Sequence, residues 1–504
     1  MQEQAYRVGA AWSVSGLRLI DGKYPLAVER YVLRQVARLV PGVTTVTPHA
    51  RYYALHALVA TEAEERALGN TETQELLRRC EVVLAAASHL HGEDHGLYGL
   101  PQAHGEGRLR GLFTASAVEF AAAVRPAEGG YTRSKWGFLP PYQTSERELG
   151  ILTAVRGSAG RPAPGPRLDR SPVREGLEPV LDLARGEELR MADVEPYVEQ
   201  LCVCRGGAQP DGRWLAELLC RAPEDGSDEV ASRRRETVRL LTRVLDGHPS
   251  ARPVEEAVGE FLALDPRMSE GGELAGYVCA ADWRGLALRN YSVTAWRRLW
   301  SWLVGQAAEG VHQAEWADRF ARAMPPGTVG EFWDALPTPG IGATPNSGTA
   351  RFGSTGSEIR PEEEFAVLAQ GARWAEELTG DTARAYNGPP NEHGQELHPR
   401  WFAAYLTDRR SLPLAECARE LAVILLRRSA RVALAKSRPA PDGRLRLPTK
   451  LQQRDSFLFT RGPEGTSRVI LRLNRLAYVL AGCGVLTVDA KSWRVTELGR
   501  ELCA

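Results

Sequence analysis

Arg51 and His56, five positions apart in the segment ARYYALHAL, are the first two side chains that could do chemistry. A histidine can act as a general acid or base, and a guanidinium group can stabilise the negative charge of a phosphoryl-transfer transition state. The apolar segment predicts a helix, in which His56 lies roughly 140° around from Arg51. The alternative is an arginine that hydrogen-bonds carbonyl groups or a carboxylate, anchored beneath the preceding PGVTT turn, with His56 facing solvent or a neighbouring helix.

The R-x4-H spacing resembles the signature of HEPN-domain ribonucleases. This resemblance implies an all-α fold and a metal-independent ribonuclease, in which Arg51 stabilises the phosphorane and His56 transfers the proton. Tyr52 departs from the signature, because the position after the arginine is usually polar in those enzymes. HEPN-like cleavage of RNA by Arg51 and His56 is therefore an alternative hypothesis for the function.

Histidines are concentrated in the segment SHLHGEDHGLYGLPQAHG, which contains His89, His91, His95 and His104. Imidazole groups, here with two carboxyl groups among them, are ligands of Zn²⁺ and Mn²⁺. HLHGEDH also resembles the HxHxDH motif of metallo-β-lactamases, but one extra residue before the aspartate shifts the register. We expect a polar, histidine-rich loop and no cofactor. A divalent metal at His89, His91 and His95 is the alternative.

Helices must position these residues, because helical periodicity dominates the chain. In PLAVERYVLRQVARLV, the apolar residues Leu26, Leu33, Val36 and Val40 form one face of a helix that ends before a Pro-Gly pair. Further helical patterns follow, and strands are few before residue 440. These patterns predict a mainly α fold with a multi-helical body.

The eight cysteines are scattered and form no C-x-x-C motif, which argues against a disulfide framework or a four-cysteine zinc site. We interpret Cys202 and Cys204, in the segment CVC, as packing residues. No signal-peptide pattern opens the chain, and no stretch approaches the length of about eighteen apolar residues that spans a membrane. We therefore expect a cytoplasmic protein without membrane contact.

Two segments rich in proline and glycine interrupt the helical patterns, at residues 156–172 and 337–364. They predict an N-terminal helical domain over residues 1–155 and a central helical domain over residues 173–336. A flexible linker over residues 337–364 then leads to a C-terminal helical region over residues 365–504.

The last ninety residues change in character. A helix from Leu473 to Cys483 is followed by two short β runs, VLTVD and SWRVT, and by a closing helix with Thr496 as its N-cap. This order resembles the end of bacterial winged-helix domains. It implies a small α+β winged-helix-like domain over about residues 440–504.

Charge is balanced over the whole chain, with 63 Lys and Arg against 63 Asp and Glu. Residues 400–504 nevertheless contain 20 basic and 9 acidic residues, a net charge of +11, so this end can contact a polyanion. The candidate phosphate contacts lie on the predicted C-terminal helix and wing. They are Arg468, Arg472, Arg475, Lys491 and Arg494.

The segments LVPGVTTVTPHARYYALHALVATEAEE, LLRRCEVVLAAAS, RVALAK and DSFLFTRG are similar to a pattern in uncharacterised helical proteins of bacterial anti-phage defence islands. The resemblance implies a non-enzymatic accessory or scaffold subunit that binds DNA or RNA and acts with a separate helicase or nuclease. In that pattern the recurrent element is the triplet Ala50-Arg51-Tyr52, which implies a structural role for Arg51 and Tyr52.

Overall fold

A computed structural model gives the fold of the protein. It describes residues 17–92, 100–127, 129–154, 160–222, 228–249, 254–336, 358–489 and 492–504. The fold is mainly helical, with 59% of the described residues in helices and few short strands among them, which confirms the predicted mainly α class.

The α-helices are numbered here in chain order. The first eleven are α1 (Arg30–Leu39), α2 (Ala50–Glu65), α3 (Asn70–Leu90), α4 (Glu106–Phe113), α5 (Phe120–Ala123), α6 (Leu139–Glu148), α7 (Arg170–Leu183), α8 (Met191–Val194), α9 (Val198–Leu201), α10 (Pro210–Cys220) and α11 (Glu229–Gly247). They continue with α12 (Val254–Leu264), α13 (Ala280–Gly305), α14 (Gln313–Arg322), α15 (Val329–Ala335), α16 (Pro361–Glu377), α17 (Gly380–Asn387), α18 (Pro399–Thr407), α19 (Leu414–Ala435), α20 (Leu473–Gly482) and α21 (Glu497–Cys503).

The strands are short and form small separate sheets. They are β1 (Leu17–Ile20), β2 (Ala117–Glu119), β3 (Leu152–Ala154), β4 (Pro162–Pro164), β5 (Glu188–Arg190), β6 (Val311–His312), β7 (Arg438–Pro439), β8 (Leu445–Pro448), β9 (Leu451–Arg454), β10 (Phe457–Thr460), β11 (Leu486–Asp489) and β12 (Ser492–Val495). Two sheets have three strands, in the orders β1-β8-β7 and β6-β10-β9. The pairs β2-β5, β3-β4 and β11-β12 form the two-stranded sheets.

Contacts divide the chain into two compact units, each built from separate parts of the sequence. Unit 1 comprises residues 1–33, 263–269 and 281–469, and unit 2 comprises residues 34–262, 270–280 and 470–504. Unit 2 thus draws on both the predicted N-terminal domain and the predicted central domain. Part of the first predicted break is ordered, because β4 pairs with β3 and α7 begins at Arg170.

The core of unit 2 surrounds α2. This helix is buried on all sides from Ala50 to Ala63, its polar residues Arg51 and His56 included, instead of presenting one face to solvent. Helices α3, α7 and α10 pack against it. Arg51 and His56, the candidate catalytic residues on α2, therefore lie in the interior of unit 2.

In unit 1, α14 packs on α19 and α16 packs on α18. The core is rich in aromatic side chains, including Phe320, Phe365 and Phe402, whose rings stand 5.8 to 6.5 Å apart in successive pairs. The sheet β6-β10-β9 also belongs to this unit.

The C-terminal elements occur in the predicted order. Helix α20 is followed by the hairpin β11-β12, in which Leu486 pairs with Val495, and Thr496 caps α21 by accepting a hydrogen bond from the Gly499 amide at 3.0 Å. Strands β7 to β10 belong to unit 1 and these elements to unit 2. Among the described residues, no helix has the length and apolar character needed to cross a membrane.

Candidate functional site

Arg51 is fully buried, and its guanidinium group makes hydrogen bonds to three residues. Its guanidinium forms a bidentate pair with Asp211, at 3.0 Å from Nε and 2.8 Å from Nη2. It also donates to the carbonyl groups of Gly176, at 3.1 Å, and Gln200. Arg51 therefore ties α2 to α7 and α10, and the hydrogen bonds described for it go to these partners and not to the PGVTT turn.

His56 is buried between two carboxylates. Its Nδ1 lies 2.5 Å from Glu146 and its Nε2 lies 3.4 Å from Glu81. Burial lowers the pKa of His56, but the charges and hydrogen bonds of the two carboxylates outweigh burial and raise that pKa to about 9. The ring is therefore a buried imidazolium at neutral pH.

The hydrogen bonds of His56 continue through Glu81, which accepts from the Tyr131 hydroxyl and from the Phe138 amide at 2.8 Å. Tyr131 also lines a cavity of about 510 Å³, together with His104, Arg108 and other side chains. Burial lowers the pKa of His104 to about 4, so its ring is neutral at pH 7.

Arg51 and His56 do not converge on a common space. Both side chains have no exposed surface, and the groups that they contact are different. A ribonuclease of the R-x4-H type needs both side chains at one phosphate. The observed contacts favour structural roles for both residues.

The three histidines predicted as metal ligands do not share one set of partners. His89 Nδ1 lies 3.0 Å from Glu106, whereas His91 Nδ1 lies 3.1 Å from the Cys204 sulfur. His95 lies outside the described residues. The structure therefore joins His91 to the CVC segment, a pairing that the sequence did not indicate.

Two of the predicted phosphate contacts are engaged within unit 2. Arg472 donates to the Val43 carbonyl and Arg475 donates to the Thr45 carbonyl, both at 2.9 Å. Both arginines are half-buried. These two residues, and not Arg51, anchor the PGVTT turn.

The other predicted contacts are more open. Arg494 is exposed on β12 of unit 2, and Arg468 is exposed in unit 1, with its Cζ 4.8 Å from the centre of the Tyr291 ring. Lys491 lies outside the described residues. Arg468 and Arg494 thus belong to different units, so the predicted set is not one contiguous patch within either unit.

A better-formed surface lies on the sheet β6-β10-β9 of unit 1. Phe457 pairs with Arg454 on β9 and with His312 on β6, and Phe459 pairs with Gln452. Directly paired residues of antiparallel strands project from the same face. These five side chains therefore share one side of the sheet, which we name the aromatic face.

The opposite side of this sheet is the buried one. Leu458, Val311 and Leu451 point into the core of unit 1 and are almost fully inaccessible. By contrast, Phe457 is 49% exposed and Phe459 is 37% exposed. The aromatic face thus exposes two large apolar rings on a strand that is paired on both sides.

Neighbouring groups hold the two rings in place. The His312 ring stands edge-on to Phe457 with the centroids 5.5 Å apart, and Arg454 Cζ lies 5.9 Å from the centre of the Phe459 ring. Phe459 also lies over Gly310, where a Cβ atom would come within 2.7 Å of the ring. Gly310 therefore allows Phe459 its position on the strand.

The aromatic face also has basic side chains. Residues 436–468, which include β7 and β8 of the other three-stranded sheet as well as β9 and β10, contain eight Lys and Arg against three Asp and Glu. Arg461 follows β10, and its amide donates to the Lys450 carbonyl at 2.9 Å, which extends the strand register by one step. By strand alternation Arg461 then lies on the same side as Phe457 and Phe459.

A cavity of about 830 Å³ adjoins the edge strand β9. Gln452, Arg454 and Arg461 line it, together with apolar side chains of α19 and β8. The face therefore combines aromatic rings, cationic groups and an adjacent concave space.

The sequence contained part of this signal. In FLFTR, aromatic and basic residues alternate with Leu458 and Thr460 at the period of a strand. The pattern does not say which side faces solvent, because that depends on pairing with β6, which lies about 145 residues earlier in the chain.

The chain matches no protein-family model, no curated protein and no solved structure.

Proposed function

We propose that the protein binds single-stranded nucleic acid across the aromatic face, as an accessory binding component and not as an enzyme. The observation that carries the proposal is the pair Phe457 and Phe459, which are exposed side by side on one strand with Arg454 and His312 beside them. Successive bases stack on such rings in proteins that hold single strands.

The energetics favour a ligand with flat apolar faces and negative charge. Each base stacked on an aromatic side chain contributes about 1–3 kcal/mol, whatever the base. Arg454 and Arg461 on this face, in a stretch with a net charge of +5 over residues 436–468, supply the attraction to phosphates. A duplex offers stacking only at its ends, so a single strand fits the face better than a double helix.

Membership of an anti-phage system, with a helicase or nuclease as partner, is the wider setting that we propose for this binding. It rests on the resemblance of the ARY and DSFLFTRG segments to defence-island proteins. Strand β10 falls within the second of these segments.

Fluorescence anisotropy with labelled single-stranded DNA, single-stranded RNA and duplex DNA tests the proposal. We expect single strands to bind more tightly than duplex. Replacing both Phe457 and Phe459 by alanine is expected to weaken binding by a factor of ten or more, at about 1–3 kcal/mol per stacked base. Arg454→Gln is expected to lower the dependence on salt by roughly one phosphate contact.

Tyr197→Ala provides the control, because Tyr197 is an exposed aromatic residue in unit 2. It is expected to bind like the unmodified protein. If the double phenylalanine variant keeps full affinity while Arg494→Gln loses it, binding belongs to the C-terminal hairpin and the proposal is wrong.

A further inference from the structure

His91, Cys202 and Cys204 form a buried cluster in unit 2 that contains suitable ligands for a metal ion. Their ligand atoms all lie within 4.8 Å of one another, the only such group of three or more metal-ligating side chains in the described part of the chain. His91 Nδ1 is 3.1 Å from Cys204 Sγ, and the two sulfur atoms are 3.3 Å apart. All three residues are buried.

These distances are close to those that a zinc ion requires. With Zn–S bonds of about 2.3 Å and Zn–N bonds of about 2.0 Å, tetrahedral geometry places two sulfur ligands about 3.8 Å apart, and a nitrogen and a sulfur about 3.6 Å apart. The observed separations are shorter by about 0.5 Å. Small rotations of the side chains would therefore admit the ion.

The charges also suit a divalent ion in a buried place. Two thiolates balance the two positive charges of Zn²⁺, and the imidazole binds as a neutral ligand, so the occupied cluster has no net charge. Binding releases the two thiol protons to solvent. Leu100, Tyr478 and Ala481 pack against the cysteines. The three side chains leave the fourth position of the tetrahedron to a water molecule.

A carboxylate is placed to orient the histidine. Glu199 Oε1 lies 3.3 Å from His91 Nε2, the nitrogen turned away from the sulfurs, and Glu199 is itself held by Arg205 at 2.5 Å. In metal sites the free ring nitrogen of a histidine ligand commonly donates to a carboxylate, which fixes the ring orientation and increases its basicity.

We propose that unit 2 binds one Zn²⁺ ion through His91 Nδ1, Cys202 Sγ and Cys204 Sγ, with Glu199 as the carboxylate that positions His91. The site differs from the histidine set predicted from the sequence, since it uses His91 without His89. It links the C-terminal end of α3 to the segment after α9, which is more than 100 residues later. It is independent of nucleic-acid binding at the aromatic face.

Elemental analysis of the full chain, purified with zinc and dialysed, tests the site. We expect about one zinc per chain, and we expect most of it to be lost in the double variant Cys202→Ser with Cys204→Ser and in His91→Gln. Cys417→Ser and His89→Gln are the matched controls and are expected to retain the metal. Cys417 is a buried cysteine of unit 1, and His89 contacts Glu106.

Cobalt substitution of the unmodified protein keeps the test valid if the variants fold poorly. Two thiolate ligands are expected to produce sulfur-to-cobalt charge-transfer absorption, and X-ray absorption of the zinc form is expected to show sulfur at about 2.3 Å. The proposal is wrong if the zinc content is near zero or if the ion has only nitrogen and oxygen ligands. It is also wrong if His89→Gln loses the zinc, or if Cys202 and Cys204 form a disulfide and no metal is bound.

Discussion

At the scale of single residues, His56 makes the stability of unit 2 depend on pH. Its pKa is raised from 6.5 to about 9 by the two carboxylates around it. A raised pKa means that the folded state holds the proton more tightly than the unfolded state. The contribution of His56 protonation to the free energy of unfolding is therefore complete below pH 6.5. It declines as the pH rises toward 9, by no more than about 1.4 kcal/mol per pH unit.

We expect the thermal midpoint of the unmodified protein to fall between pH 6.5 and 9, because in this range His56 keeps its proton in the folded state and loses it in the unfolded state. The double variant His56→Gln with Glu146→Gln removes both charges and keeps side chains that can hydrogen-bond, so its midpoint is expected to change less over the same range. Melting curves followed by circular dichroism give the comparison. Equal pH dependence in both proteins would show that the His56 pair does not contribute.

Arg51 and Asp211 form an ion pair without solvent access, so the loss of one partner leaves an uncompensated buried charge. Arg51→Met is expected to cost about 3–5 kcal/mol. Combining it with Asp211→Asn removes the orphaned charge and is expected to recover part of the loss. Chemical denaturation of both variants checks this, and a double variant less stable than Arg51→Met would contradict it.

At the scale of elements, α7 approaches α10 through Gly176. A Cβ atom at this position would lie 2.1 Å from Asp211 Oδ1, which is held in the pair with Arg51 and cannot move away freely. Gly176→Ala is expected to destabilise unit 2 by about 1–3 kcal/mol through overpacking.

Gly111 on α4 is the matched control, because nothing lies within 4 Å of a Cβ atom built there. Gly111→Ala is expected to be neutral or to stabilise by about 0.5–1 kcal/mol, since alanine favours the helix. Thermal melts of the two variants give the comparison. A neutral result for Gly176→Ala would mean that α7 and α10 can separate without cost.

The elements were largely predictable from local sequence, whereas the sites were not. Apolar periodicity indicated the helices, and the order of helix, hairpin and capped helix at residues 473–503 follows from local turn and capping signals. The partners of His56 come from residues 25 and 90 positions away, and those of His91 from residues more than 100 positions away. No local pattern specifies such pairings. The sequence therefore suggested a metal site made of neighbouring histidines, whereas the fold places His91 beside Cys204.

At the scale of the whole molecule, residues 470–504 are an integral part of unit 2. Arg472 and Arg475 bond the turn after α1, and Gly482 at the end of α20 approaches Ala50 so closely that a Cβ there would lie 2.9 Å from the alanine Cβ. Removing this segment uncovers the apolar helix α2.

A chain ending at residue 469 is therefore expected to lose cooperative melting of unit 2 and to bind a hydrophobic dye. Arg475→Gln in the full chain is the control and is expected to melt cooperatively, because it removes one hydrogen bond to the turn and keeps the rest of the segment. A truncated chain that melts like the full protein would show that residues 470–504 form a detachable module.

Strand β1 has a consequence for synthesis in the cell. It pairs in parallel with β8, with Leu17 opposite Leu445, so its partner is translated more than 400 residues later. At about 5–20 residues per second, the first strand of unit 1 leaves the ribosome roughly 20 to 90 s before its neighbour is made. The sheet of β1 and β8 can thus form only near the end of translation, and unit 2, which needs residues 470–504, is completed later still.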